Sequence, residues 1–203
     1  MEVNEIVVEK PPVIKIPNYL VYEVMNGKPI PYRGFQEVLN KNKTLEDIMG
    51  SSGLQAVIVT DILRFLFKNL SEDKYDIVSN EAGLHLSKRN NLATDIGIYT
   101  TEALLPEKIT DKYLDIPPSI AIEIDTKADM SQFDNPQDYF YQKTSSLLEF
   151  GVEKVIWITT ASKKVTVATA HADWITHNWN KPIAILPDVE CNLADLLAKR
   201  GIK

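Results

Sequence analysis

The chain has 203 residues, 44% hydrophobic and 25% charged, which is the make-up of an ordinary soluble domain and excludes a disordered, collagen-like or membrane-spanning chain. A formal charge of −6 excludes attachment to nucleic acid by bulk charge, so any such contact has to be local. The lone Cys191 leaves no disulfide framework, and the three scattered histidines (85, 171 and 177) lack zinc-ligand spacing and read as surface or loop residues.

In chain order, Pro11, Pro12 and Pro17 make residues 1–18 an extended arm rather than a helix. The opening MEVNEIVVEK lacks the basic start and apolar run of a signal peptide, and no apolar stretch is long enough to cross a bilayer, so a cytoplasmic location is expected. LVYEVM (20–25) is a β-branched and aromatic run followed by Asn26-Gly27, which predicts a strand, a tight turn and a second short strand through Pro31. A short helix is expected over Phe35–Asn40. Residues 51–70 carry the first strong helical pattern, capped by Ser51 or Ser52, with Leu54, Val57, Ile58, Ile62, Phe65 and Leu66 at helical spacing. Val59, Leu63 and Phe67 on the other faces predict that this helix is largely buried, with Asp61 reaching solvent at its rim.

Strands are expected at 75–79, 83–87 and 93–99, with a turn at KRNN (88–91). A loop with a short helical turn covers 100–118, and SIAIEID (119–125) forms a strand with alternating faces. Asp134 and Asn135 can cap a helix that has Pro136 in its first turn, runs to Phe150 and stops at Gly151. A hairpin follows (154–160 and 163–170), then a strand at 183–186 and a helix at 192–200. With no repeat and no linker, residues 19–203 read as one mixed α/β domain.

The chemistry concentrates in TDIGIY (94–99), IAIEIDTK (120–127) and the helix carrying Lys143. Strand alternation puts Asp95, Gly97 and Tyr99 on one face, and Ala121, Glu123, Asp125 and Lys127 on one face of the later strand, backed by Ile120, Ile122 and Ile124. Carboxylates seldom sit in such an apolar strand without a partner. If the two strands are neighbours, Asp95 and Glu123 can hold one Mg²⁺ or Mn²⁺, since hard cations take carboxylate oxygens. Lys143 falls at the centre of an apolar arc made by Pro136, Tyr139, Phe140, Leu147 and Phe150, so its ammonium must either snorkel out or meet carboxylates. Two acids with a lysine describe a site for phosphodiester hydrolysis.

These segments, together with YEVMNGK (22–28), GSSGLQ (50–55), PPSIAIEIDT (117–126), QKTSSLLEFGVEKVIWI (142–158) and ILPDVECNLADLL (185–197), resemble the Uma-type restriction endonuclease family of the PD-(D/E)xK nuclease superfamily. The resemblance covers residues 18–197. It implies a restriction-endonuclease-like fold, a mixed β-sheet core flanked by helices, and a Mg²⁺- or Mn²⁺-dependent endonuclease acting on DNA, expected as a homodimer. Residue by residue, it implies Asp95 and Glu123 as metal ligands and Lys143, eight residues before Gly151, as the catalytic lysine. Glu23 matches a glutamate recurrent in the family's first strand and is an accessory candidate. Thr94 stands where the family has Pro, Leu54 where it often has His, and Thr126 where it has Ser. Asp125-Thr126-Lys127 is itself a D-x-K, so a second register, with Asp125 as ligand and Lys127 as lysine, stays open. The other reading is a catalytically degenerate member that keeps the fold as a binding or scaffold module.

Cations for DNA are sparse: Lys88 with Arg89, and Lys163 with Lys164, cluster in turns, where charge is commonplace. Trp157 is expected in the core, while Trp174 and Trp179 are candidates for base stacking or a partner surface.

Overall fold

The fold begins with a hairpin that the sequence prescribes almost atom by atom. Asn26 and Gly27 take positive φ (52° and 79°), as a two-residue turn matched to strand twist requires, and join β1 (Val21–Met25) to β2 (Lys28–Pro31). The structure, a computed structural model, describes residues 15–202, so positions 1–14 of the expected arm lie outside the described residues. Two short helices follow, α1 (Phe35–Leu39) and α2 (Glu46–Met49), the second too short to show a period in the sequence.

The long helix α3 spans Gly53–Asn69, and the Ser52 hydroxyl caps it by accepting from the Gln55 N–H at 3.1 Å. Gln55, Ile58, Asp61, Ile62 and Leu66 are buried, and Leu54, Val57, Val59, Leu63 and Phe65 are half-buried against the same core, so the helix is largely covered as expected. Phe67 does not join them and is 66% exposed. Nor is Asp61 solvated: it is 8% exposed and accepts from the Arg200 guanidinium at 2.7 and 2.8 Å and from Arg64 at 3.1 Å. Arg200, 139 residues away, lies beyond the reach of any periodicity argument.

Next comes β3 (Tyr75–Ser87), one strand where two are expected, because Asn80 and Glu81 form a bulge with positive φ (71° and 53°) rather than a break. It pairs with β4 (Asn90–Thr100). Then come β5 (Ile120–Ile124), α4 (Pro136–Phe150), β6 (Lys154–Thr159), β7 (Lys164–Thr169), β8 (Ile175–Asn178), β9 (Ile183–Leu186), β10 (Val189–Cys191) and α5 (Leu193–Ala198). β8 is short and mostly exposed, and β10 has only three residues, too few for an alternation to announce it.

Eight strands form one sheet, with β5 and β6 parallel and its other pairs antiparallel. α4 is the crossover between the two parallel strands, as such pairs require. β3 runs the length of one edge of β4, from Tyr75↔Thr100 to Ser87↔Asn90. The opposite edge is therefore shared: β1 pairs at Asn91, and β5 pairs at Ile96–Ile98. Between them, residues 92–95 of β4 face a fork in the sheet. One face of the sheet packs Ile96, Ile98, Ile120, Ile122, Ile124 and Ile156 against α3 and α5. The other packs Ala121, Val155, Trp157 and Ala168 with Tyr139 and Leu147 of α4. This is the mixed α/β sheet flanked by helices that the sequence predicts. Among the described residues no helix is long and apolar enough to cross a membrane.

Candidate active site

The fork between β1 and β5 leaves the Ala93 N–H of β4 without a strand partner on that side. Glu23 of β1 reaches across and accepts from it at 3.0 Å through Oε1. The same oxygen accepts from Lys143 Nζ at 2.7 Å, and Glu23 Oε2 accepts from the Tyr139 hydroxyl at 2.8 Å. Lys143 Nζ also donates to Glu123 Oε2 of β5 at 3.0 Å and sits 5.6 Å from the centroid of the Trp157 ring. The indole N–H of Trp157 in turn donates to the Thr144 hydroxyl at 2.8 Å.

Lys143 does not snorkel. It is 0% exposed, with Glu23 at 3% and Glu123 at 2%. A buried ammonium is held only by opposite charge, and two carboxylates from two different strands supply it. The helix that delivers Lys143 is fixed at both ends. Asn135 and Asp138 form a reciprocal capping box, Pro136 fills the first turn, and Gly151 closes the helix at φ 116°.

Asp95 lies one step further along β4. Its Oδ2 accepts from the Ile124 N–H at 2.6 Å, just past the end of the β4–β5 ladder, so its carboxylate is pinned beside Glu123. Burial raises Asp95 above the usual carboxylate range, against the pull of the Ile124 N–H and the Lys143 charge. Burial likewise pushes Glu123 up to about 8, against the Lys143 ammonium and helped by the negative charges of Asp95 and Glu23. For Lys143, burial works downward, but Glu123 and Glu23 outweigh it and hold the ammonium well above its ordinary value.

One atom in this cluster stands out. Among the described residues, Glu123 Oε1 is buried and meets no hydrogen-bond partner. An unpartnered carboxylate oxygen beside a second carboxylate is a donor set that fits a hard divalent cation. No group of three or more Asp, Glu, His or Cys side chains with metal-holding geometry occurs among the described residues. A cation on Asp95 and Glu123 would therefore complete its shell with water or substrate oxygens, as Mg²⁺ usually does.

The second register is not laid out on the strand face of Glu123, although the Lys127 charge acts on Asp95. β5 ends at Ile124, and Asp125 turns out of the strand at φ 54° to accept from the Thr160 N–H at 2.9 Å and hydroxyl at 2.6 Å. Lys127 pairs with Glu81 of the β3 bulge. The expected shared face thus holds for Ala121 and Glu123 but not for Asp125 and Lys127. Two residues were not anticipated. Tyr139 counts as core in the helical pattern, and only its hydroxyl on Glu23 reveals its second task. Glu81 left no signal at all, because nothing in Asn80-Glu81 announces a left-handed pair of non-glycine residues.

Beside the cluster opens a cleft of about 930 Å³, with Thr126, Tyr139 and Trp157 in its wall. Trp157 is buried in the core, as expected. Trp174 lines the cleft. Trp179, a candidate for exposed stacking, is instead 7% exposed and packs in the α3 and α5 core.

No protein-family profile matches the chain, and no curated protein does. Among solved structures it is similar to one from Anabaena variabilis ATCC 29413, described as "a putative nuclease belonging to DUF820". The match covers 87% of this chain and 89% of that one, at 14% identity and a TM-score of 0.65. The two share a fold.

Proposed function

We propose that the protein is a divalent-cation-dependent endonuclease that hydrolyses DNA phosphodiester bonds at Asp95, Glu123 and Lys143. The observation that carries this reading is the meeting of Lys143 with Glu123 beside Asp95, where Glu123 Oε1 is left without a partner. The shared fold supports it, since the neighbour carries a nuclease description. In this reading Asp95 and Glu123 hold Mg²⁺ or Mn²⁺, which when bound lowers the pKa of a water and polarises a phosphoryl oxygen. Lys143 sets a fixed positive charge beside the reacting phosphate and offsets the negative charge that grows in the transition state. Glu23 is a positioning residue. Tied to the Ala93 N–H and the Tyr139 hydroxyl, it fixes where the ammonium sits.

One observation favours a second reading. Lys143 is closed off from solvent and already neutralised by two glutamates, which suits a degenerate site whose ion cluster serves the fold alone.

Nicking of supercoiled plasmid with Mn²⁺ separates the two. Asp95→Asn and Glu123→Gln keep side-chain shape and are expected to lower the rate on the order of 10²–10³-fold, and Lys143→Met similarly. Titration calorimetry should show Mn²⁺ binding to the unaltered protein weakened in Asp95→Asn. Wild-type nicking that survives all three substitutions would remove the catalytic assignment. A purified protein that neither nicks DNA nor binds Mn²⁺ would leave the scaffold reading.

A further inference from the structure

The cleft beside the ion cluster has features that the cleavage reading does not use. Arg33, Lys43, Lys127 and Lys164 line it, although the chain carries a net charge of −6. Two acids share the wall and are each tied to a neighbour: Asp47 accepts from the Thr44 N–H and hydroxyl (2.8 and 3.1 Å), and Asp125 accepts from Thr160. Two of these cations are held in place: the Arg33 guanidinium donates to the Thr126 carbonyl and the Arg33 backbone N–H to the Lys127 carbonyl at 2.6 Å, while Lys164 donates to Asn178 at 2.5 Å. Lys127 is paired with Glu81.

Aromatic rings run through the same wall. Tyr139, whose hydroxyl holds Glu23, lies 6.5 Å from Trp157, and Trp157 lies 4.7 Å from Phe140. Phe140 leads to Tyr141 at 5.7 Å, and Tyr141 stacks on Trp174 at 5.4 Å with 27° between the planes. Tyr141 is 51% exposed, a large ring held out at the cleft by its stacking partner. Ring faces flanked by placed cations form the combination that binds single strands, because every base has a face to stack and every nucleotide a phosphate. A duplex keeps its base faces covered by neighbouring pairs and offers this wall only phosphates.

We propose that this cleft binds an unpaired DNA strand, with bases stacked on the Tyr141–Trp174 pair and phosphates drawn by Arg33, Lys43 and Lys164. The substrate class of the neighbouring site is then single-stranded or frayed DNA rather than intact duplex. The inference rests on the nuclease reading for the identity of the polymer, and its test uses no cleavage.

The test is fluorescence anisotropy in EDTA with labelled oligo(dT), labelled oligo(U) and a labelled blunt hairpin duplex of equal length. Oligo(dT) is expected to bind at least about tenfold more tightly than the duplex. Tyr141→Ala should weaken oligo(dT) binding about tenfold while leaving the melting temperature in place, and Tyr141→Phe, which keeps the ring, should restore it. Arg33→Ala should lower the slope of log affinity against log salt by about 0.7 on the single strand. The inference is overturned if the duplex binds as tightly as oligo(dT), if oligo(U) binds more tightly, if neither strand binds, or if Tyr141→Ala binds like the wild type. Strand binding without metal-dependent nicking would sink the cleavage reading and leave this one. Nicking without strand binding would do the reverse.

Discussion

On the face of the sheet covered by α3 and α5, isoleucines from four strands and one helix fill the space, and each can be exchanged for an apolar group of similar volume at modest cost. On the face covered by α4, the same sheet buries Glu23, Glu123 and Lys143 next to Tyr139 and Trp157. The first face needs only volume. The second needs charge balance, because its three ionisable groups come from three elements and none is stable there alone. Stability on one side is therefore distributed, whereas on the other it is concentrated in a cluster that also provides the chemistry.

The largest effect is expected from breaking that cluster. Lys143→Ala leaves two carboxylates buried without a cation and should cost about 3–5 kcal/mol in urea unfolding. Replacing the whole cluster at once, with Glu23→Gln, Glu123→Gln and Lys143→Met, should recover much of that loss. A triple variant as unstable as the single one would show that packing, not charge, holds this face. On the apolar face, Ile62→Ala should cost about 2–5 kcal/mol as a simple cavity, and a companion Ile62→Val should cost about 0.5–1.5 kcal/mol. Asn135→Ala removes the cap of the helix that carries Lys143 and should cost about 1 kcal/mol by the same measurement.

The smallest effect concerns the rim of the apolar face. Hydrogen bonds from Arg200 hold the Asp61 carboxyl below its ordinary value, with the Arg64 charge adding to this. A carboxylate whose folded value is lowered stabilises the protein fully above its unfolded pKa, near pH 4, and that contribution fades as the pH falls through the folded value. Asp61→Asn should therefore be less stable than the wild type at pH 7, and the gap between them should close in unfolding curves taken at successively lower pH. A gap that stays constant down to pH 2 would mean that the Arg200 contact contributes through packing alone.

Much of the frame was legible in the residues. Asn26-Gly27 requires its turn, Ser52 and Asn135 sit where caps belong, and Gly151 ends its helix with positive φ. Alternation around Ile120, Ile122 and Ile124 put Glu123 on the face opposite the isoleucines, and the arc on α4 put Lys143 at its centre. Distance along the chain hides the rest. Asp61 reads as solvated because Arg200 is far off in sequence, and Asp125 reads as part of a carboxylate row because the end of β5 cannot be read from IAIEIDTK. Composition places Phe67 on a covered face of α3, yet the sheet and α5 leave that side of the helix open and Phe67 is exposed.

By itself, the order of residues determined local geometry: which segments extend, where they turn, which side of each element is apolar, and that a lysine on α4 had either to snorkel out or to find carboxylates. The tertiary structure decided which carboxylates. Two strands, β1 and β5, share one edge of β4 and leave a fork between them, and that fork brings Glu23 within reach of Lys143 across 120 residues. Periodicity is a property of neighbours within a turn or a strand, whereas pairing register depends on the whole sheet closing at once, so the partners of a buried charge appear only when the sheet does.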